Sequence, residues 1–159
     1  MIRQTIVTLF LGLSVLLART PEFPYLVQAG TPIAIQNFIH AEAACNWDGI
    51  GGQVFDGDRQ PVTGLVVRIY GMYDGAPMYA NVLTGVSLKL GPGGYEYQLG
   101  STPLSSTGQL TIQVFNLMGE ALSYPVVVNT QGACDRNLLL VNFVEVDTLY
   151  DVFLSLVHH

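Results

Sequence analysis

Apolar side chains recur at every second residue in several short stretches of this chain, and no other feature constrains the fold as strongly. Leu65, Val67 and Ile69 share one side of a predicted strand, and residues 109–116 alternate in the same way. Residues 137–146 are apolar on both sides, which is typical of a strand in the middle of a sheet. About seven such stretches, separated by turn residues, predict a β-sandwich or a β-barrel.

Helical periodicity is missing from the same part of the chain. No convincing period of 3.6 residues occurs before residue 146, which excludes a nucleotide-binding α/β domain. Residues 71–85 are expected to form a long loop rich in Gly, Pro and Tyr, and residues 86–90 to form a strand. The tail, residues 147–159, fits either a helix that begins at Asp147 or a further strand.

Charged residues are rare. They make up 11% of the 159 residues, against about 25% in a typical soluble domain. The net charge is −6, and Lys89 is the only lysine. Because phosphate groups are bound by clustered Lys and Arg, nucleic acid is not expected as a partner, and neither is an anionic lipid surface.

The N-terminus has the pattern of an export signal. An apolar stretch at residues 5–18 follows a positive residue and is shorter than the ~20 residues of a membrane span. Residues 1–29 are assigned to a signal peptide, with cleavage after Ala18, Ala29 or Ala43 left open, as is an uncleaved anchor. The protein is therefore expected to be secreted or held at the cell surface.

Cys45 and Cys134 are the only two cysteines in the chain. In an exported protein an even pair favours a disulfide. A catalytic thiol or a metal-bound thiol is the alternative, but each needs suitable partners. The three histidines, His40, His158 and His159, all lie near the chain ends.

Several motifs resemble the carboxypeptidase regulatory-like domains. Residues 52–56 (GQVFD) and 61–71 (PVTGLVVRIYG) are similar to the opening hairpin of that family, and residues 93–97 echo its later turn and strand. Residues 45–56 and 134–144 are similar to the two end motifs of a bacterial secreted variant. The sequence departs from the family where Arg59 replaces a turn glycine, and these departures concern the turns.

This resemblance implies a fold and a boundary. It implies an all-β, seven-stranded antiparallel sandwich of the transthyretin-like, immunoglobulin-like kind, non-catalytic, with arms outside the core motif. The resulting divisions are a signal peptide at 1–29, an N-terminal arm at 30–44, the sandwich at 45–146 and a tail at 147–159. Gly64 is expected to let the backbone pass closely before the second strand.

Tyrosines are concentrated between residues 70 and 97. Tyr70, Tyr73 and Tyr79 are candidates for an exposed aromatic surface that contacts sugars or proteins. The alternative is that Tyr95 and Tyr97 belong to the core, with their hydroxyls at its rim.

Acidic residues suggest two further sites, both disfavoured. Asp48, Asp56 and Asp58 could bind Ca²⁺, but Gln60 and Pro61 follow where a calcium loop needs an oxygen ligand and a glycine, so turn capping is the preferred interpretation. Asp56 with Glu96 or Glu120 could form an acid–base pair, although no spacing specifies it. We expect no enzyme activity, no metal and no small-molecule cofactor.

Self-assembly is a third possibility. Ile33, Ile35, Phe38 and Ile39 form an apolar arm that could add a strand to the sheet of a neighbouring copy, as could residues 149–157. The expected function is thus a structural or adhesive module at the cell surface, with a strand-donated fibre or a carbohydrate-binding module as alternatives. The expected partners are itself, other cell-surface proteins or glycans.

Overall fold

A computed structural model describes residues 23–146 as two layers of β-sheet. Within this range the helical segments are two short 3-10 turns at Ala41–Ala43 and Cys134–Arg136, and no helix there is long and apolar enough to cross a membrane. The apolar stretch at residues 5–18, predicted to belong to a signal peptide, and the tail at 147–159 lie outside the described residues. The strands are β1 (Tyr25–Val27), β2 (Ile33–Ile35), β3 (Asp48–Phe55), β4 (Val66–Tyr73), β5 (Ala76–Leu83), β6 (Gly94–Gly100), β7 (Ser106–Phe115), β8 (Val126–Thr130), β9 (Leu138–Leu140) and β10 (Phe143–Glu145).

The four-stranded sheet has the order β5-β4-β7-β8, with every neighbouring pair antiparallel. The loop predicted at residues 71–85 is wrong, because these residues complete β4 and form β5. Asp74 and Gly75 connect the two strands with φ angles of 50° and 72°, the left-handed conformations of a tight two-residue hairpin turn. The strand predicted at residues 86–90 is also wrong, since turns occupy that stretch.

The six-stranded sheet is built around β3. On one side β3 pairs antiparallel with β6, and on the other its two halves pair in parallel with β9 and β10. The outermost row is β1 and β2, which pair antiparallel with β10 and β9. The six strands therefore fill four rows, two of which are interrupted in the middle.

Asn142 bridges the interruption between β9 and β10. Its Oδ1 accepts the backbone N–H of Gln53 at 2.9 Å, and its Nδ2 donates to Gln28 Oε1 at 2.9 Å. Its own backbone N–H donates to Thr31 Oγ1 at 3.1 Å. One side chain thus supplies hydrogen bonds that the broken ladder lacks.

The main core lies between the two sheets. As the alternation predicts, Val67 and Ile69 are fully buried and Leu65 packs against them from the rim. The buried members of this core are Tyr25, Ile50, Val54, Val67, Ile69, Tyr73, Tyr95, Leu110, Ile112, Val114, Val128, Leu139, Val141 and Phe143. The all-β sandwich is confirmed, but the prediction that it is antiparallel throughout is wrong, because β3 pairs in parallel with β9 and β10.

The number of strands differs from the prediction, since residues 23–146 form ten strands and not seven. β1 and β2 come from the N-terminal segment, the last predicted strand is divided into β9 and β10, and β5 replaces the strand expected at 86–90. The arm expected at residues 30–44 lies on its own sheet through β2. β1 falls inside the range assigned to the signal peptide, and its Tyr25 belongs to the core.

Cys45 and Cys134 form a disulfide, as predicted, with their Cα atoms 4.9 Å apart. Each cysteine shortly precedes a strand, Cys45 before β3 and Cys134 before β9. These two strands pair in parallel, so the disulfide joins the entrances of neighbouring strands in one sheet.

Candidate functional site

The outer face of the four-stranded sheet is open to solvent and carries two of the three predicted tyrosines. Tyr70 on β4 lies directly opposite Tyr79 on β5. Tyr79 is 62% exposed, whereas Tyr70 is partly buried by its neighbours. Thr111 on β7 and Val127 on β8 continue the row, and Val127 is 61% exposed. One row of side chains therefore crosses all four strands of this face.

Arg68 organises the next row of the same face. Its guanidinium carbon lies 3.9 Å from the ring centroid of Phe115 and 5.3 Å from that of Tyr79. Its Nε donates a hydrogen bond to Asn81 Oδ1 at 3.0 Å, and Gln113 pairs with it from β7. Cation–π contacts and the hydrogen bond hold the cation beside an exposed ring.

Arg68 is the one charged residue in the four strands of this sheet. The alternation of β4 places it on the same side as Tyr70, but nothing in the sequence connects it with Phe115 or Asn81. That connection depends on the registers of β5 and β7 against β4. The face therefore offers a cation, an aromatic ring and amide side chains, without a carboxylate on its strands.

Tyr73 does not belong to this surface, and its assignment to the ligand surface is wrong. Its side chain is 6% exposed and points into the main core. Its hydroxyl donates a hydrogen bond to the carboxylate of Asp48, which is 1% exposed. Burial, and then the hydrogen bond to Asp48, raises the pKa of the Tyr73 hydroxyl.

The outer face of the six-stranded sheet is covered by the chain itself. We call residues 36–47 the N-terminal lid; together with the loop at 84–93 it closes a second apolar cluster over this face, formed by Ile39, Trp47, Leu90 and Leu138. Gly49 leaves room for the Trp47 ring, because a Cβ there would lie 2.5 Å from Trp47 Cη2. Within residues 23–146 the two faces of the sandwich thus differ, since the lid covers one and no described segment covers the other.

Asn137 anchors the lid. This side chain is fully buried, and its Oδ1 accepts the backbone N–H of Asn37 at 2.8 Å. Its Nδ2 donates to the carbonyl oxygens of Ala44 at 3.0 Å and Trp47 at 2.8 Å. Three points of the lid are therefore bonded to one residue at the start of β9, next to the disulfide.

A histidine, a carboxylate and a serine meet at the rim of the lid. His40 Nε2 lies 3.0 Å from Glu96 Oε1, and the hydroxyl of Ser87 donates to Glu96 Oε2 at 2.6 Å. In a nucleophilic triad the imidazole stands between the hydroxyl and the carboxylate, and here the carboxylate stands between the other two. The arrangement ties the lid to β6 and to the loop before it.

The other acidic residues named from the sequence are dispersed. Asp48 is the first residue of β3 and Asp56 directly follows its last residue. Asp56 Oδ1 accepts a hydrogen bond from the backbone N–H of Gln60 at 2.7 Å within its turn. Glu120 accepts a hydrogen bond from the Asn116 side chain at 2.5 Å, also within a turn. Over residues 23–146, no group of three or more His, Cys, Asp or Glu is placed to hold a metal ion.

The residues predicted for self-association occupy two environments. Ile33 and Ile35 lie in β2 and pair with β9 of the same chain, with Ile33 47% exposed. Phe38 is 51% exposed at the surface of the lid, whereas Ile39 is buried beneath it in the second cluster. Three of the four side chains thus remain at least partly accessible in the single chain.

No family model, no curated protein and no solved structure matches this chain. The resemblance to carboxypeptidase regulatory-like domains therefore stays a prediction that depends on the motifs at residues 45–71 and 134–144.

Proposed function

We propose that this protein is a secreted, non-catalytic β-sandwich module with a structural or adhesive role at the cell surface, and that it makes contact through the outer face of the four-stranded sheet. The observation that carries the proposal is the asymmetry between the two outer faces. The N-terminal lid covers one face, while the other leaves Tyr79 62% exposed beside Arg68.

Export is supported by the disulfide. Both cysteines of the chain are consumed in one bridge, and such bridges form and persist mainly in oxidising compartments. Of the cleavage sites considered, the one after Ala18 retains β1, whereas cleavage after Ala29 removes a strand that carries the buried Tyr25. We place the mature N-terminus before Tyr25, the first residue of β1, for this reason.

A neutral glycan is a ligand class that suits this face. An exposed phenol ring offers an apolar surface to the C–H groups of a sugar, and its hydroxyl remains at the edge. Asn81 and Gln113 flank Arg68 and carry amide groups of the kind that bond to hydroxyls. These four strands carry no carboxylate, so they offer no partner for a cationic ligand.

The test is retention of the protein on a panel of immobilised neutral polysaccharides. Tyr79→Ala should weaken retention about five- to tenfold, because the loss of one aromatic contact corresponds to roughly 1 kcal/mol. Phe38→Ala is the matched control, since Phe38 is an aromatic side chain that is 51% exposed on the N-terminal lid, which covers the other sheet. Equal retention of the Tyr79→Ala variant and the unchanged protein would contradict the assignment of this face to a glycan.

A fibre built by strand donation is the second candidate. β1 and β2 are short, three residues each, and form the outer row of their sheet. The bonds of Asn137 to the lid begin at Asn37, so the segment before it can leave its row while the lid remains anchored. A neighbour's sheet would then receive Ile33 and Ile35.

A further inference from the structure

β5 is an unusually unprotected edge strand. It has eight residues, Ala76–Leu83, and among the described strands it pairs with β4 alone. Its sequence, APMYANVL, contains no charged residue. Natural edge strands are generally short, charged, bulged or covered, because an open row of N–H and C=O groups recruits another strand. Pro77, which lacks an N–H, is the one such protecting feature here.

The remaining edges are better protected. β8 has five residues and its ladder with β7 contains a register shift. β6 carries Glu96, which is bonded to His40 and Ser87. β1 and β2 have three residues each. β5 is therefore the long edge without charge in the described part of the chain.

The hairpin turn decides which backbone groups of β5 face outward. In a two-residue hairpin the pair that closes the turn, Tyr73 and Ala76, is hydrogen-bonded. Hydrogen-bonded and non-hydrogen-bonded pairs then alternate along β4 and β5. The backbone groups of Pro77, Tyr79, Asn81 and Leu83 consequently point away from β4, toward the open edge.

We propose that β5 pairs antiparallel with β5 of a second copy of this chain, about a two-fold axis at Ala80. The two four-stranded sheets then become one continuous sheet, and the dimer is closed. This inference does not depend on the proposed glycan ligand, because it concerns the edge of the sheet and not its outer face.

The register follows from maximal overlap of the outward-facing groups. With Ala80 opposite Ala80 of the second copy, Tyr79 lies opposite Asn81 and Pro77 opposite Leu83. These pairs form about six interstrand hydrogen bonds, since Pro77 donates none. On the inner side, the partly buried Met78 lies opposite Val82 and extends the core across the junction.

Charge distribution favours a second copy in the antiparallel orientation. The full chain carries a net charge of −6, so two copies repel one another, and the repulsion is smallest where the contact surface has no carboxylates. β5 lacks them, and the nearest acid along the hairpin is Asp74 in its turn. Antiparallel pairing places the two Asp74 side chains at opposite ends of the junction, whereas parallel pairing places them side by side.

The first test is the solution mass of the full secreted chain at micromolar concentration, measured by light scattering after gel filtration. We expect twice the mass of one chain. Tyr79→Glu places two carboxylates diagonally across the junction and should return the mass to that of one chain. Val127→Glu, an equally exposed position on the opposite edge, should leave the dimer intact.

A backbone variant separates the edge from its side chains. Asn81→Pro removes one outward N–H and no hydrogen bond to β4, so it should produce monomers while near-ultraviolet circular dichroism stays unchanged. Asn81→Ala loses the same side chain, keeps the N–H and should remain dimeric. This comparison remains decisive if Tyr79→Glu fails to fold.

The register has its own test. Ala80→Cys places two thiols opposite one another in a non-hydrogen-bonded pair, where the Cα separation of about 4.5 Å suits a disulfide. Mild oxidation should yield a covalent dimer on a non-reducing gel. The closed β5 dimer would be overturned if the protein without substitutions were a monomer. It would also be overturned if Tyr79→Glu or Asn81→Pro remained a dimer, if Val127→Glu became a monomer, or if oxidation of Ala80→Cys gave a ladder of larger species.

Discussion

Single glycines in β3 determine how closely its neighbours approach. Gly52 faces the carbonyl of Val141, and a Cβ at Gly52 would lie 2.0 Å from that oxygen. The same carbonyl oxygen accepts a hydrogen bond from the hydroxyl of the fully buried Tyr95. The absence of a side chain at Gly52 therefore makes room for the Val141 carbonyl, whose position is fixed by its hydrogen bond from Tyr95.

Gly52→Ala should destabilise the fold strongly. The new methyl group meets backbone and not the end of a flexible side chain, so β3 must separate from the β9–β10 connection, with an expected loss of about 3 kcal/mol or more. Gly57→Ala is the control, because the nearest atom to a Cβ added there, Glu145 O, is 3.9 Å away. The free energy of unfolding in urea measures both variants, and equal values for them would contradict the packing argument.

At other positions the sequence did not predict the backbone conformation or the contacts that a residue makes. Arg59 stands where the motif of carboxypeptidase regulatory-like domains has a turn glycine, and it adopts a left-handed φ of 62°, the conformation that glycine would favour there. Gly64 is not needed for close approach, since nothing lies within 4 Å of its Cβ position; it adopts a φ of 81° that favours glycine. The alternation rule predicts the side of each strand on which a residue lies, but not the contact that it makes there.

At the level of strands, a buried carboxyl connects the two sheets. Asp48 is the first residue of β3 and Tyr73 the last of β4, and the two side chains are hydrogen-bonded across the sandwich. The backbone N–H of Leu104 lies 3.4 Å from the same oxygen. Burial raises the pKa of Asp48, although the hydrogen bonds from Tyr73, Leu104 and Gly49 oppose that shift.

The carboxyl of Asp48 should make the free energy of unfolding depend on pH. Because the pKa of Asp48 is higher in the folded than in the unfolded chain, the folded state gains a proton first as the pH falls. The stabilising contribution is fully present below the ordinary aspartate range and is lost as the pH rises through the raised pKa. The unchanged protein should therefore gain unfolding free energy on acidification from neutral pH, relative to Asp48→Asn.

The difference between these two proteins isolates Asp48 from the other titrating groups, since asparagine still accepts the hydrogen bond from Tyr73. Urea denaturation at several pH values from neutral to mildly acidic measures it. If this difference in unfolding free energy stayed constant over the range, or changed in the opposite direction, burial would not raise the pKa of Asp48.

The strand predictions succeeded where the sequence of a strand alternates between apolar and polar residues. They failed where pairing with another part of the chain determines whether a strand forms. β4 and β7 show clear alternation in their sequences and were predicted, whereas the sequence of β5, with Pro, Ala and Asn, does not indicate a strand. β5 forms because the Asp74–Gly75 turn returns it to β4. Residues 86–90 alternate, yet the carbonyl of Gly94 accepts the N–H groups of Gly85, Val86 and Ser87 and turns the chain there.

Across the whole molecule, the covered face depends on long-range connections. The lid is bonded through Asn37 and Asn137, a hundred residues apart, and through the Cys45–Cys134 disulfide, 89 residues apart. The sequence predicted the disulfide, because the chain has only two cysteines and its N-terminus predicts export. It did not predict the lid, since Trp47 and Leu90 meet over Gly49 and Gly51 only after β3, β6 and β9 have formed one sheet.

Removing the disulfide should weaken the fold without changing it. The bridge closes a loop of 89 residues, and chain-entropy models assign such a loop about 4–5 kcal/mol of stabilisation through the unfolded state. In the folded state, β3 and β9 still pair and Asn137 still holds the lid. The double variant Cys45→Ala, Cys134→Ala should therefore keep its circular dichroism spectrum and lose about 4 kcal/mol of unfolding free energy, measured by urea denaturation.

Reduction of the protein without substitutions is the control. The reduced protein should match the double variant in stability, and before reduction it should show no titratable thiol. A loss below about 1 kcal/mol would mean that residual structure already restricts the unfolded chain as much as the bridge does.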